Sequence, residues 1–368
     1  MSGSIYGTLF RIATWGESHG KGVGVTIDGC PAGLPLSEAD IQKDLDKRKP
    51  GRSPFATPRK EADEVEILSG VFEGKTTGTP ISLIVYNNNQ RPYDYDEISK
   101  IYRPGHTDYT YDQKYGFRDY RGSGRSSGRE TTARVAAGAV AKKILEALGV
   151  NVMAYTASIG PVEIDRSQFD ASEIWRNFLS MPDKTAVGPA EAYLTQLKEE
   201  GNSSGGSIEC VVTGLPAGIG EPVFDKLDAN LAKGLMSIGA VKAVEIGAGI
   251  AVSEKTGVEN NDFYRYDDAG QLYKETNYAG GIVGGISDGF DLFLKVHVKP
   301  TPSIHAPQRA VNKMGENIEV QIEGRHDPVV VPRAVIVVEA MTALTLVDLL
   351  LINMSGQMTH VLKVYNKQ

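Results

Sequence analysis

Apolar and polar positions alternate along GVGVTID (22–28), placing Val23, Val25 and Ile27 on one side of a strand. Helical spacing replaces this in SEADIQKDLDKRK (37–49), with Ser37 as a cap and Pro50–Gly51 as a stop. Strand patterns return in EVEILSGVFEG and TPISLIVYNN, around a glycine turn. Residues 87 to 128 carry little apolar periodicity, and an irregular segment that long is usually functional or disordered. ETTARVAAGAVAKKILEALG (130–149) then predicts an amphipathic helix that ends at Gly149. Further along, NVMAYTASIG, GGSIECVVTG, VKAVEIGAGI, DLFLKVHVKP and IEVQIEG predict strands. FDKLDANLAKGLMSI (224–238) and residues 333–354 predict helices. Residues 165–203 read as helical, polar and solvent-facing, and 253–280 as a second long loop. No linker or composition break divides the text, so the expectation is one α/β domain over residues 1–368 with several long loops.

Two features of composition change that picture. Glycine is abundant at 41 of 368 residues, about 11% against an average near 7%, which suggests tight turns and close backbone approach to a ligand. The net charge of −7 argues against a general nucleic-acid binder. Cys30 and Cys210 form no CxxC pair, so neither a disulfide framework nor a zinc site is expected. The first residues show no charged region followed by an apolar one, hence no secretory signal. The longest apolar stretch, AVIVVEAMTALTLVDLLLI, is interrupted by Glu339 and Asp348 and reads as a buried helix, not a membrane span. The expected location is the cytoplasm.

Against the acidic background, RPGHTDYTYDQKYGFRDYRGSGRSSGRET (103–131) concentrates arginine and glycine. Ser127 and Glu130 have capping-box spacing just ahead of the predicted helix. A helix N-terminus presents unpaired N–H groups, and Arg125, Arg129 and Arg134 flank this one, so it is a candidate phosphate or carboxylate site. No GK[ST] follows, and GxGxxxG is not the dinucleotide spacing. His19, in GESHG beside Ser18, and His106, aimed by the Pro104–Gly105 turn beside Arg103, are candidate acid–base groups. No HxxxH or HExxH spacing supports a metal. HVKPTPSIHAP (297–307) offers phosphate-binding types in Lys299, Thr301 and Ser303. In EGRHDPVVVPRAV (323–335), Arg325 and Asp327 are either turn residues or a polarised pair. The run Lys47, Arg48, Lys49, Arg52, Arg59, Lys60 reads first as a solvated charged turn after a helix end.

Taken together, GESHGKGVGVTIDGCP, the 103–131 segment and GRHDPVVVPRAVIVVEAM resemble signatures of the chorismate synthase family, in order and spacing. VFDKLDANLAKGLMSIGAVKAVEIG, NYAGGIVGGISDG and KPTPS also resemble family segments. The resemblance implies a β-α-β sandwich whose long loops form the site, and a homotetramer. It implies conversion of 5-enolpyruvylshikimate 3-phosphate to chorismate and phosphate by 1,4-anti elimination, with reduced FMN (FMNH2) and no net redox change. Some family members also reduce flavin with NADPH. By resemblance, Arg48, Arg103, Arg129 and Arg134 would hold substrate. Arg125, Ser126, Ser127, Gly239, Ala240, Gly284, Lys299, Pro300, Thr301, Pro302, Ser303 and Arg325 would line the FMN. His19 would protonate the departing phosphate, and His106 would meet the flavin ring. Asp327, aided by Ser18 and Ser127, matches the family's proton relay.

The chain departs from the pattern in three places. Pro54 stands where many relatives carry an arginine, Lys47 and Lys49 replace arginines, and Pro302 stands where a serine is often found. Two other readings remain at this point. One is a single-strand nucleic-acid binder that uses the Arg/Gly/Tyr segment. The other is a flavoprotein of the same fold impaired at Pro54.

Overall fold

The computed structural model describes residues 3–49, 51, 55, 62–88, 98–322 and 327–366. Among the described residues, eight α-helices run in chain order: α1 Glu38–Arg48, α2 Asp108–Tyr115, α3 Thr131–Ala147, α4 Lys184–Glu199, α5 Leu227–Met236, α6 Gly257–Asn260, α7 Val331–Asn353 and α8 Met358–Tyr365. Two five-stranded antiparallel sheets enclose most of the core. The first has the order Ile5–Tyr6, Arg11–Gly16, Gly22–Asp28, Ile81–Tyr86, Val65–Ser69. The second has the order Val162–Glu163, Asn151–Ile159, Gly206–Thr213, Leu292–Val298, Val241–Ile246.

Each sheet turns one apolar face inward. In the strand Leu292–Val298, Leu292, Leu294, Val296 and Val298 are buried while the residues between them are half-buried, the period-2 signature of a sheet covered on one side. α1 and α3 lie on the first sheet, α5 and α7 on the second, and α3 packs along α7. The β-α-β sandwich therefore carries two helical layers between its sheets. At the α3–α7 crossing, a Cβ built on Gly138 would lie 2.3 Å from the Ala340 Cβ, so the two backbones touch.

α7 is long and apolar enough to cross a membrane by composition. Here it is enclosed, with every residue from Val335 to Leu349 buried. Its two acids are satisfied internally. The Glu339 carboxylate accepts from the Ala154 N–H at 3.0 Å and Lys142 Nζ at 2.7 Å. Asp348 accepts from the backbone N–H groups of Thr8, Leu9 and Phe10 at 2.7–3.0 Å. A buried carboxylate is tolerable only with such partners.

Several sequence expectations need revision. The 87–128 segment contains α2 and a 3-10 turn at Arg121–Ser126. Residues 165–203 are α-helical only over Lys184–Glu199, with short 3-10 turns at Arg166–Gln168 and Ala171–Glu173, and α4 is not wholly solvent-facing, because Ala186, Ala190, Leu194 and Leu197 form a buried stripe. The 253–280 loop contains α6 and a hairpin of Tyr264–Tyr266 with Leu272–Lys274. The strand expected over 241–250 stops at Ile246, where Gly247 and Gly249 take positive φ. The one expected in IEVQIEG ends at Val320. The strands Arg11–Gly16 and Gln308–Asn312 and helix α8 are additional.

Candidate active site

The first sheet ends at Tyr86, and the next residue ties three motifs together. Asn87 Nδ2 donates to the carbonyls of Glu17 (3.0 Å) and Gly20 (2.9 Å), which clamps the GESHG loop. Its Oδ1 accepts from Arg129 Nε at 2.9 Å. The Arg129 guanidinium also pairs with Asp63, whose other oxygen accepts from Arg48 Nη1 at 3.0 Å. Arg48 Nε donates to Thr131 Oγ1 (3.1 Å) and Nη2 to the Gly128 carbonyl (2.9 Å). Burial lowers the Arg48 pKa, as do Arg333 and Arg129, while Asp63 works the other way. A guanidinium nevertheless keeps its proton.

The 3-10 turn Arg121–Ser126 lies between the two histidines. On one side, Ser18 Oγ lies 3.1 Å from His19 Nδ1 and donates to the Arg121 carbonyl at 3.4 Å. On the other, Ser123 Oγ lies 2.9 Å from His106 Nε2. Ser123 has φ 75°, a conformation that favours glycine. His106 Nδ1 lies 3.1 Å from Arg103 Nη2 and 3.2 Å from Asp108 Oδ1. Burial holds the His106 pKa below its ordinary value, against the pull of Asp108. Burial by itself would raise Asp108, but Arg103 and His106 outweigh it and hold the carboxyl well below the usual range. Arg103 reaches Asp108 at 2.7 and 2.8 Å, and Arg118 pairs with the same carboxylate. Asp63 and Asp108 thus hold four guanidiniums between them, which leaves a net positive lining within an acidic protein.

The second sheet contributes a third wall. Beyond Val298, the Lys299 N–H donates to the Ala240 carbonyl at 2.9 Å, and Lys299 Nζ reaches the Gly105 carbonyl at 2.7 Å. Burial lowers the Lys299 pKa, with Lys242 adding to it. Ala240 has φ 73°. Of the six non-glycine residues with positive φ among the described residues, Asp63, Ser123 and Ala240 belong to this region, a concentration of strain typical of functional sites. Ser126 Oγ bonds Thr107 Oγ1 at 2.8 Å, and Arg125 is spent on the end of the strand Arg11–Gly16, through the Thr14 and Gly16 carbonyls and Thr14 Oγ1. Asp327 pairs with Arg333 of α7.

His19, His106, Arg103, Arg129, Ser18, Ser126, Lys299 and the Gly239–Ala240 turn are linked by these contacts. Ser127 caps the 3-10 turn Gly128–Glu130 by accepting the Arg129 N–H at 3.3 Å. Its capping box with Glu130 is not made, because the Glu130 carboxylate takes Arg134 Nε at 2.9 Å. Arg134 turns towards Ser237 at the end of α5, bonding its Oγ at 2.6 Å and its carbonyl at 3.1 Å. Gly284 lies apart. Its hairpin meets the start of α5 through the Leu227 N–H to Gly285 O bond, whereas Ala240 follows the end of α5. The 10-residue helix α5 spans the gap between them, about 15 Å at 1.5 Å per residue. Arg325 and Pro54 lie outside the described residues, as do Arg52, Arg59 and Lys60. Lys47 and Lys49 pair locally with Asp44 and Asp46, as in a charged surface turn.

Sequence reasoning missed Asp63, Asn87, Asp108, Arg118, Ser123 and Arg333. Only Asp108 carried a usable signal, since RPGHTD places an acid two residues after a candidate histidine. The others act through tertiary contacts that no local spacing encodes.

The third wall suits a phosphate group. Thr301 Oγ1 is buried with no hydrogen-bond partner among the described residues, Ser303 is buried beside it, and Lys299 supplies the cation. Among the described residues, no three metal-ligating side chains come together.

Residues 10–351 match the chorismate synthase family model. The chain is 61% identical over 367 residues to the chorismate synthase of Lachnospira eligens, covering all of both chains. It is 60% identical, again over the full length of both, to that of Lachnoclostridium phytofermentans. A crystal structure of chorismate synthase superimposes with a TM-score of 0.75 at 31% identity, covering 95% of this chain and 94% of the other. The chain belongs to the chorismate synthase family.

Proposed function

We propose that this lyase removes phosphate from 5-enolpyruvylshikimate 3-phosphate by 1,4-anti elimination to give chorismate, and that it requires reduced FMN. The observation that carries the reading is the meeting of both histidines, Arg103, Arg129 and Lys299 in a lining where cations outnumber carboxylates. A substrate with two carboxylates and a phosphate loses its water only where fixed cations replace it.

Arg103 and Arg129 would hold the substrate's anionic groups, already oriented by Asp108 and Asp63. Arg48, buried with each of its three guanidinium nitrogens hydrogen-bonded, would act by fixing Arg129 and the Gly128 turn. Arg134 would act in the same indirect way on the turn after α5. His19, its Nδ1 beside Ser18, would give a proton to the departing phosphate. Lys299, Thr301 and Ser303, with Ser126, Ser127 and the Gly239–Ala240 backbone, would hold the FMN phosphate. What reduced FMN supplies when bound is electron density as the C–O bond breaks, recovered by the end of the cycle. Asp327, with Ser18 and Ser127, would carry the substrate proton away. A single domain, a homotetramer and a cytoplasmic location complete the reading.

The test is anaerobic: the protein, 5-enolpyruvylshikimate 3-phosphate and chemically reduced FMN, with chorismate absorbance and free phosphate followed together. Equal amounts of both products are expected. No product in the presence of bound FMN would overturn the activity, and no FMN binding would overturn the cofactor as well. Oxidised FMN with NADPH in a parallel run tests whether the chain reduces its own flavin.

A further inference from the structure

The turn Arg121–Ser126 meets His106 directly through the Ser123 hydroxyl and reaches His19 only through Ser18, whose hydroxyl donates to the Arg121 carbonyl; the roles above use Ser18 but not Ser123. Ser123 Oγ stands 2.9 Å from His106 Nε2. It is held there by a backbone φ of 75° and by accepting from Arg103 Nη2 at 3.2 Å, and that φ costs a non-glycine residue about 1 kcal/mol or more. Glycine flanks it on both sides, so the chain could adopt this turn more easily with glycine at the position itself. A strained serine whose hydroxyl meets an imidazole points to a use for the hydroxyl.

The other ring nitrogen shows what that use is. Nδ1 faces Arg103 Nη2, which only donates, and Asp108 Oδ1, which accepts. With the proton on Nε2, the ring donates to Ser123 and accepts from Arg103. With the proton on Nδ1, it faces Asp108, and Nε2 accepts the Ser123 hydroxyl proton. Both neutral tautomers are therefore fully partnered, and the Ser123 hydroxyl reverses direction between them. The charged groups facing the ring are Asp108 of α2, Arg103 before it and Arg118 after it. Lys299 approaches from the second sheet through the Gly105 carbonyl.

We propose that Ser123 is a further functional residue of the proposed elimination, the hydroxyl through which His106 exchanges a proton with a bound molecule. The step balances. A proton reaching Ser123 Oγ displaces the hydroxyl's own proton to Nε2 of the ring protonated at Nδ1. The resulting imidazolium faces the Asp108 carboxylate. The reverse transfer restores hydroxyl and neutral ring, and burial of the ring favours that return.

This inference rests on the function proposed above, and its test separates the two. Ser123→Gly suits the backbone and removes the CH2OH side chain, so the variant should melt at the same temperature as the parent or higher. Its kcat should fall about 10²-fold, with KM for the substrate within about threefold of the parent. In the His106→Ala background the same change should cost nothing further, because Ser123 acts through the ring. In ligand-free protein, ring-proton NMR should show His106 titrating at higher pH in Ser123→Gly, since water then reaches the ring. An active parent with an equally active Ser123→Gly variant would overturn the relay alone. So would additive losses in the double variant, or an unmoved His106 titration. An inactive parent would instead sink the function, and the NMR titration would still decide whether Ser123 governs the ring.

Discussion

Arg48 and Arg129 share one carboxylate. Asp63 accepts from Arg48 Nη1 at 3.0 Å on one oxygen and pairs with Arg129 on the other, with its side chain wholly buried. Removing the shared charge leaves two buried cations facing each other. Asp63→Asn keeps the shape and loses the charge, so the ligand-free protein should lose about 3–5 kcal/mol in urea unfolding, the usual cost of breaking a buried pair. A loss under about 1 kcal/mol would mean that water, not Asp63, balances these arginines.

The acid limb of stability follows from His106. Its folded pKa is lowered by burial, so the unfolded chain binds the proton more readily. Stability from this group is full above the unfolded value of about 6.5 and is lost as pH falls from there towards the folded pKa. Asp108, also lowered, adds a second loss at more acidic pH, as pH falls below about 3.9. The unfolding free energy should therefore decline between pH 7 and 5, by no more than about 1.4 kcal/mol per pH unit from His106. His106→Asn should flatten that part of the curve, and an unchanged slope would assign it to another group.

Legibility followed the range of the interactions involved. Strands such as Leu292–Val298 and helices such as α3 announce themselves because burial of one face imposes a period on adjacent residues. His19, His106 and Lys299 were found because small or rigid neighbours mark their loops. Asp63 and Asn87 were invisible, since their partners lie 15 to 70 residues away in the chain. α2 was missed because its eight residues bury almost nothing apolar and take their place from the Asp108 ion pairs.

Both histidines should matter to turnover, for different reasons. His19 is placed by Ser18 and the Asn87 clamp, and His106 by Arg103, Asp108 and Ser123. If each transfers a proton, His19→Ala and His106→Ala lower kcat about 10²–10⁴-fold. Near-parental kcat in either variant, measured under anaerobic conditions, removes that residue from the proton steps.

Lys299, just beyond the second sheet, reaches across the site to the Gly105 carbonyl in the loop before α2 at 2.7 Å. It is also the cation nearest in sequence to the Thr301 hydroxyl, which has no hydrogen-bond partner among the described residues. Lys299→Met keeps the stem and removes the charge. Loss of a charge-assisted hydrogen bond of about 1.5–3 kcal/mol should weaken FMN binding roughly 10–10²-fold. Fluorescence titration under anaerobic conditions reads this directly. An unchanged dissociation constant would place the flavin phosphate elsewhere.

Gly138 decides how closely α3 and α7 approach. Glycine inside a helix ordinarily costs about 1 kcal/mol against alanine, so an exposed Gly→Ala change would stabilise. Here the added methyl would sit 2.3 Å from the Ala340 Cβ and 2.6 Å from its Cα, and the helices would have to separate. Overpacking of that kind costs about 1–3 kcal/mol, which exceeds the propensity gain. Gly138→Ala should therefore lower the melting temperature, and Ala340→Gly in the same chain should not restore it, because the contact with the Cα of residue 340 at 2.6 Å remains. A rise in melting temperature for Gly138→Ala alone would show that the two helices can slide apart at little cost, and the close crossing would not be what fixes the spacing of the two sheets.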